Sequence, residues 1–310
     1  MTSFFSIVLA AILGLLAVAS AIGFILQRRA TEPGSVATVQ NLNARIRSWW
    51  IMVAVFGGAI LLGDTAVVIL FAFLSFMALR EFWTLTPSRR GDHLAALFLS
   101  FFVVLPVQYV LLGTLWYGLF AIFIPVYAFL ILPAVATLTG DVNEFLARTA
   151  RVQWGLMLTV YSISHAPALL MLQTGTPSAL LLVYLVIVVQ LSDVFQYVWG
   201  KLLGKHRFSP NISPSKTLEG LIGGGASAIL VGTLLYRLTP FSPLQAAAIS
   251  TVIVVAGFFG GFVLSAIKRD LNAKDWGYVI EGHGGVLDRL DSITFASPLF
   301  FHIVRYWFTA

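Results

Sequence analysis

Residues 265–291 read SAIKRDLNAKDWGYVIEGHGGVLDRLD and lie between two long apolar runs. Lys268, Arg269, Asp270, Lys274, Asp275, Glu281, His283, Asp288, Arg289 and Asp291 all fall in this stretch, in a chain that is only 10% charged. A solvated loop alone does not explain the order of residue types. Gly284 and Gly285 permit a tight turn or a close approach of backbone to a ligand. The spacing predicts a helix starting just after them, with Asp288 and Asp291 sharing one face. Neighbouring carboxylates repel unless a cation sits between them, and their hard oxygens suit Mg²⁺. Lysine and arginine in the same segment suit a polyphosphate held by that metal. The residue types point to metal-assisted handling of a phosphorylated substrate beside a membrane.

Composition supports the membrane. The chain has 310 residues, 59% of them hydrophobic, and its mean hydropathy of +0.92 exceeds that of soluble domains. No polar stretch is long enough to form a separate soluble domain. Cysteine is absent, which removes disulfides and thiolate metal sites. The net charge of +6 does not indicate a nucleic-acid partner, because the basic residues sit beside apolar spans. Anionic lipid headgroups and substrate phosphates are the better match.

Ser3–Leu26 is an uninterrupted apolar run long enough to cross a bilayer. Ala17-Val18-Ala19 resembles a signal-peptide cleavage site, but no basic side chain precedes the run, so a retained anchor is expected. Residues 1–48 are read as this anchor and a polar linker, with an interfacial helix ending at Trp49-Trp50. Residues 49–310 are read as the membrane domain. Two spans are expected in Trp49–Leu79, broken near Gly57-Gly58 or Gly63-Asp64, and two in 94–140, turning near Gly113-Thr114. Two more are expected in 152–192, divided at 174–177, followed by spans near 218–236, 244–266 and 293–308. The fold class is an all-α polytopic membrane protein of about ten spans, its N-terminus outside. Every Lys and Arg except Arg237 and Arg305 then falls on the inner side, as the positive-inside rule requires. Both charged stretches become cytoplasmic loops. His165, inside a span, is read as a hydrogen-bonded packing residue in preference to a catalytic one. The glycines at 223–225 and 257–261 predict close helix packing. No internal repeat is apparent, so an inverted-repeat transporter lacks support.

A second polar stretch, DVFQYVWGKLLGKHRFSPNISPSKTLEG, occupies residues 193–220. Ser213, Lys216 and Thr217 precede a helix start, where they can hold phosphate oxygens or simply cap the helix.

Together the two stretches resemble the phosphatidate cytidylyltransferase family, the CDP-diacylglycerol synthases. The first matches through Ser265, Ile267, Lys268, Arg269, Lys274, Asp275, Gly277, Ile280, His283, Gly284, Gly285, Val286, Asp288, Arg289, Leu290 and Asp291. The second matches through Asp193, Gly200, Gly204, Lys205, Ser213, Pro214, Lys216, Thr217 and Gly220. Glu281 departs from the usual proline or small residue, and Val194-Phe195-Gln196 from the usual small ones. The first 45 residues, with the extra span, look added.

The resemblance implies transfer of a cytidylyl group from CTP to phosphatidate with Mg²⁺, at the cytoplasmic face of a bacterial inner membrane. It also implies a homodimer. Asp275, Asp288 and Asp291, with Asp193, are then the expected metal ligands. Lys216, Lys268, Arg269, Lys274 and Arg289, with Ser213 and Thr217, are the expected phosphate holders. His283 either donates to a phosphate, orients a metal ligand or is structural. Two alternatives remain: a related transferase using another lipid phosphate or nucleotide, and a non-catalytic scaffold or transporter. The topology is testable on this cysteine-free chain. Cysteines placed at Ser215 and Asn272 are expected to react with an impermeant maleimide only from the cytoplasmic side, and one at Thr176 only from outside. Labelling of position 272 from outside in intact cells would overturn the arrangement.

Overall fold

A computed structural model of the chain describes residues 3–29, 33–280 and 284–309. Among the described residues there are ten long helices. They are α1 (Ser3–Arg29), α2 (Pro33–Leu62), α3 (Asp64–Leu85), α4 (Arg90–Gly113) and α5 (Tyr117–Thr137). There follow α6 (Phe145–Met171), α7 (Ser178–Leu203), α8 (Leu218–Leu238), α9 (Pro243–Asp270) and α10 (Leu287–Phe308). Among the described residues, α1 to α9 are long and apolar enough to cross a membrane. The tenth helix has the length but carries Asp288, Arg289 and Asp291 in its first turns. The chain is an all-α polytopic membrane protein.

Local chemistry sets the breaks. Gly63 has φ of +100°, a backbone that only glycine adopts without strain, and it separates α2 from α3. α4 ends at Gly113 and α6 stops before residues 174–177, both as the sequence predicts. Ser242 caps α9 by a reciprocal bond pair with Gln245, with Pro243 at the first helical position. Thr217 caps α8, its hydroxyl accepting from Gly220 N–H at 3.1 Å.

Two expectations change. The polar segment after α1 is not a separate interfacial helix ending at Trp49-Trp50, because α2 runs unbroken from Pro33 to Leu62. Its length, about 45 Å at 1.5 Å per residue, exceeds a hydrocarbon core, so its polar first half extends beyond the membrane. The boundary expected at residue 48 therefore lies inside a helix. The last helix begins at Leu287, just after Gly284-Gly285 as the spacing predicts, and so extends the span expected from residue 293.

Between α7 and α8 lies an antiparallel hairpin of β1 (Arg207–Ser209) and β2 (Ser213–Thr217). α7, α8, α9 and α10 pack as one bundle, with α6 against α10 and α3 against α6. Small residues allow the close approach. A Cβ built on Gly224 would come within 2.7 Å of the Phe195 carbonyl carbon in α7, and one on Gly260 within 2.6 Å of the Asp291 carbonyl in α10. His165 is fully buried among the rings of Phe120, Tyr161, Phe301 and His302, with Nδ1 donating to the Tyr161 carbonyl at 2.7 Å.

Gly224→Ala is therefore expected to destabilise the bundle by at least about 1–3 kcal/mol, the scale of overpacking. Gly14→Ala, which meets nothing within 4 Å, should be neutral. Thermal unfolding in detergent reads the difference; equal midpoints would contradict the close contact.

Candidate active site

The start of α10 is held by a residue far away in sequence. The first N–H groups of a helix have no partner inside it, and the helix dipole favours an anion there. Glu81 of α3, 4% exposed, fills this role. Its Oε1 accepts from Val286 N–H and its Oε2 from Leu287 N–H, each at 2.8 Å. The loop closes tightly on this carboxylate, and a Cβ on Gly277 would lie 2.9 Å from Oε1.

Asp288 holds the same loop from the other side. Its Oδ1 accepts from Lys268 Nζ at 2.6 Å, and its Oδ2 from the N–H groups of Trp276 and Gly285 at 2.8 and 2.9 Å. Both charges are buried. Trp276 is buried too, stacked on Phe82 with ring centroids 5.6 Å apart. Gly284 takes φ of +81°, and a Cβ there would lie 2.8 Å from Asp288 Oδ2. The paired glycines thus approach internal carboxylates.

The next turn faces elsewhere. Ser292 Oγ donates towards Asp193 of α7, 2.9 Å from Oδ2 and 3.1 Å from Oδ1, and lies 3.5 Å from Asp291 Oδ1. Lys216 of β2 lies over the Phe258 ring at 4.7 Å and donates to the Phe258 carbonyl at 3.2 Å. A Cβ on Gly261 would sit 3.1 Å from Lys216 Nζ and 3.3 Å from Asp291 Oδ2, so ammonium and carboxylate both border that glycine. Burial holds the Lys216 ammonium below the usual lysine range, while Asp291 and Asp193 pull it back up. Arg289 acts electrostatically on both aspartates, and its buried Nε has no hydrogen-bond partner among the described residues.

The residues expected from sequence are therefore divided. Asp193, Asp291, Lys216 and Arg289 come together. Asp288 and Lys268 neutralise each other. Asp288 points into the loop while Asp291 lies beside Asp193, and Lys268, paired with Asp288, also acts electrostatically on Asp291. Asp275 stands near Gly284 and Lys274 is exposed. Among the described residues no three His, Cys, Asp or Glu side chains are grouped closely enough to hold a metal together. Arg269 binds the carbonyls of Ile212 and Ala273, tying the hairpin to the loop. Ser213 is buried in β2 and Thr217 is a cap. His283 lies outside the described residues.

Sequence reasoning missed Glu81 and Ser292, and read Gly261 only as a helix-packing glycine. A lone carboxylate near the end of an apolar helix was the available signal for Glu81.

Fold and site define a polytopic membrane protein with a polar centre of carboxylates and cations between its last four helices. Residues 43–307 match a family model described as the Cytidylyltransferase family, and the chain belongs to that family. It is 39% identical over 303 residues to Uncharacterized protein YnbB of Escherichia coli (strain K12), covering 96% of this chain and 97% of that relative. It is also 39% identical over 120 residues to the Phosphatidate cytidylyltransferase of Staphylococcus haemolyticus (strain JCSC1435), covering 38% of this chain and 46% of the relative. The same named protein of Aquifex aeolicus (strain VF5) is 39% identical over 115 residues, 37% of this chain and 43% of the relative. These last two matches span less than half of the relatives' length. Family membership makes the chain a nucleotidyltransferase.

Asp288→Asn leaves Lys268 buried without its counter-charge. A loss of about 3–5 kcal/mol is expected, the cost of breaking a buried pair, read as a lower unfolding midpoint in detergent. An unchanged midpoint would show that the pair does not hold the loop.

Proposed function

We propose that the chain transfers a cytidylyl group from CTP to phosphatidate, giving CDP-diacylglycerol and pyrophosphate. The observation that carries this reading is the convergence of Asp193, Asp291, Ser292, Lys216 and Arg289 in a family whose chemistry is cytidylyl transfer. The partial relatives named Phosphatidate cytidylyltransferase support the lipid substrate.

An oxygen of the lipid phosphate attacks the α-phosphorus of CTP. A new P–O bond forms, the bond to the β-phosphate breaks, and pyrophosphate leaves with the bonding electrons. The attacking phosphate is already an anion, so no general base is required. The obstacle is charge: two unit anions 4 Å apart repel by about 4 kcal/mol at an effective dielectric of 20. Lys216 and Arg289 offset that repulsion, and Arg289 Nε, unpartnered among the described residues, adds a donor for a phosphate oxygen. Lys268, engaged with Asp288, acts through the loop.

Asp193 and Asp291 fit Mg²⁺, which takes one or two carboxylates and completes its shell with water and substrate phosphates. Asp288 fits it poorly, since both of its oxygens already accept hydrogen bonds. Mg²⁺ bound by Asp193 and Asp291 would neutralise charge on the transferred phosphate and the leaving pyrophosphate. We place this centre at the cytoplasmic face of a bacterial inner membrane.

A second reading, the same transfer to a different lipid phosphate, is favoured by the residues beside Asp193. Val194 is 41% exposed and Gln196 bonds Ser192 at 2.6 Å, bulky side chains where the resemblance in sequence leads one to expect small ones.

Purified protein supplied with α-³²P-CTP and phosphatidate is expected to yield labelled lipid. Asp291→Asn and Asp193→Asn should lower the rate at least a hundredfold while keeping the wild-type unfolding midpoint. Label that enters another lipid phosphate in preference to phosphatidate would select the second reading. Full activity in both variants would sink the site.

A further inference from the structure

A groove of about 370 Å³ opens between α3 and α4, away from Asp193 and Asp291. Phe76 of α3 and Phe98, Phe101 and Phe102 of α4 wall it, and Arg80 and His93 line it as well. The aromatic wall is ordered by ring contacts, Phe76 to Phe101 at 5.3 Å and Phe98 to Phe102 at 5.4 Å between centroids. It is also open to the surroundings, with Phe98 54% and Phe102 69% exposed. Exposed phenylalanines alone are ordinary on a lipid-facing surface. The cationic end sets this groove apart.

Arg80 is one turn from Phe76 towards the end of α3, and His93 lies at the start of α4. Consecutive antiparallel helices bring both to the connection between them. That connection is at the site-bearing end of the bundle, because Glu81, next to Arg80, bonds the start of α10. The groove therefore offers a cation at the membrane boundary and an apolar wall running inward. Arg80 is exposed, and among the described residues no carboxylate forms an ion pair with it. A guanidinium matches a phosphate in charge and in fork geometry. Its aliphatic stem can lie along the apolar wall while its head stays at headgroup level.

We propose that this groove seats one anionic phospholipid, its phosphate on Arg80 and His93 and an acyl chain along the phenylalanines. The seat is distinct from the catalytic centre and does not depend on the transfer reaction. A lipid held there steadies the end of α3 that carries Glu81.

Native mass spectrometry of the full-length protein in mild detergent tests this with phosphatidylglycerol and phosphatidylcholine of identical chains. Wild type should retain one phosphatidylglycerol in clear preference to phosphatidylcholine. Arg80→Gln should weaken phosphatidylglycerol about tenfold, the scale of one charge-assisted hydrogen bond, and leave phosphatidylcholine unchanged. Arg80→Lys should retain most of the preference, and Arg90→Gln, an exposed arginine outside the lining, all of it. Asp291→Asn should bind the lipid as wild type does. The proposal is overturned if Arg80→Gln has no effect, if Arg90→Gln matches it, or if Asp291→Asn abolishes binding and so places the lipid in the catalytic centre.

Discussion

The polar centre depends on one carboxylate at one helix start. Glu81 reaches from α3 to the first free N–H groups of α10, bridging the two halves of the chain. A buried carboxylate in a membrane protein is costly unless its oxygens are satisfied, and a helix N-terminus supplies both donors and favourable charge. Once the start of α10 is fixed, the next turn is fixed too. Asp288 is set towards the loop and Asp291 with Ser292 towards α7. The C-terminal half of the molecule is thereby registered on a helix that belongs to neither polar stretch.

The two aspartates of α10 look alike in sequence and differ in surroundings. Asp288 is saturated: an ammonium on one oxygen and two backbone N–H groups on the other. Asp291 shares its environment with a second carboxylate and is balanced by cations on three elements. The first arrangement makes a rigid loop. The second leaves negative oxygens and positive side chains together, which is what a metal-bound polyphosphate requires.

Much of the fold was legible because a bilayer constrains it so strongly. Apolar length marks the helices, and Gly63, Gly113 and residues 174–177 mark their ends. Continuity through polar residues was not legible: α2 carries Arg45 and Arg47 on a helix whose first half needs no membrane. In the site, residue types at fixed spacing singled out Asp193, Lys216, Arg289 and Asp291, which the fold brings together. Spacing could not tell which carboxylate already had a partner, because Lys268 reaches Asp288 from the preceding helix and Trp276 from the loop. Glu81 was hidden for a similar reason. Its partners are backbone groups, which leave no residue-type signature.

The central claim is that Lys268 and Asp288 build the loop while Asp193 and Asp291 do the chemistry. The double variant Lys268→Met with Asp288→Asn tests it most directly, since it removes both buried charges and keeps an acceptor for the N–H groups of Trp276 and Gly285. Turnover from CTP to lipid, measured beside the unfolding midpoint, gives the answer. The account predicts a midpoint near wild type and turnover within about tenfold of it, as paired charges are often replaceable by apolar neighbours. A folded but inactive double variant would contradict it and make Asp288 or Lys268 a participant in the reaction.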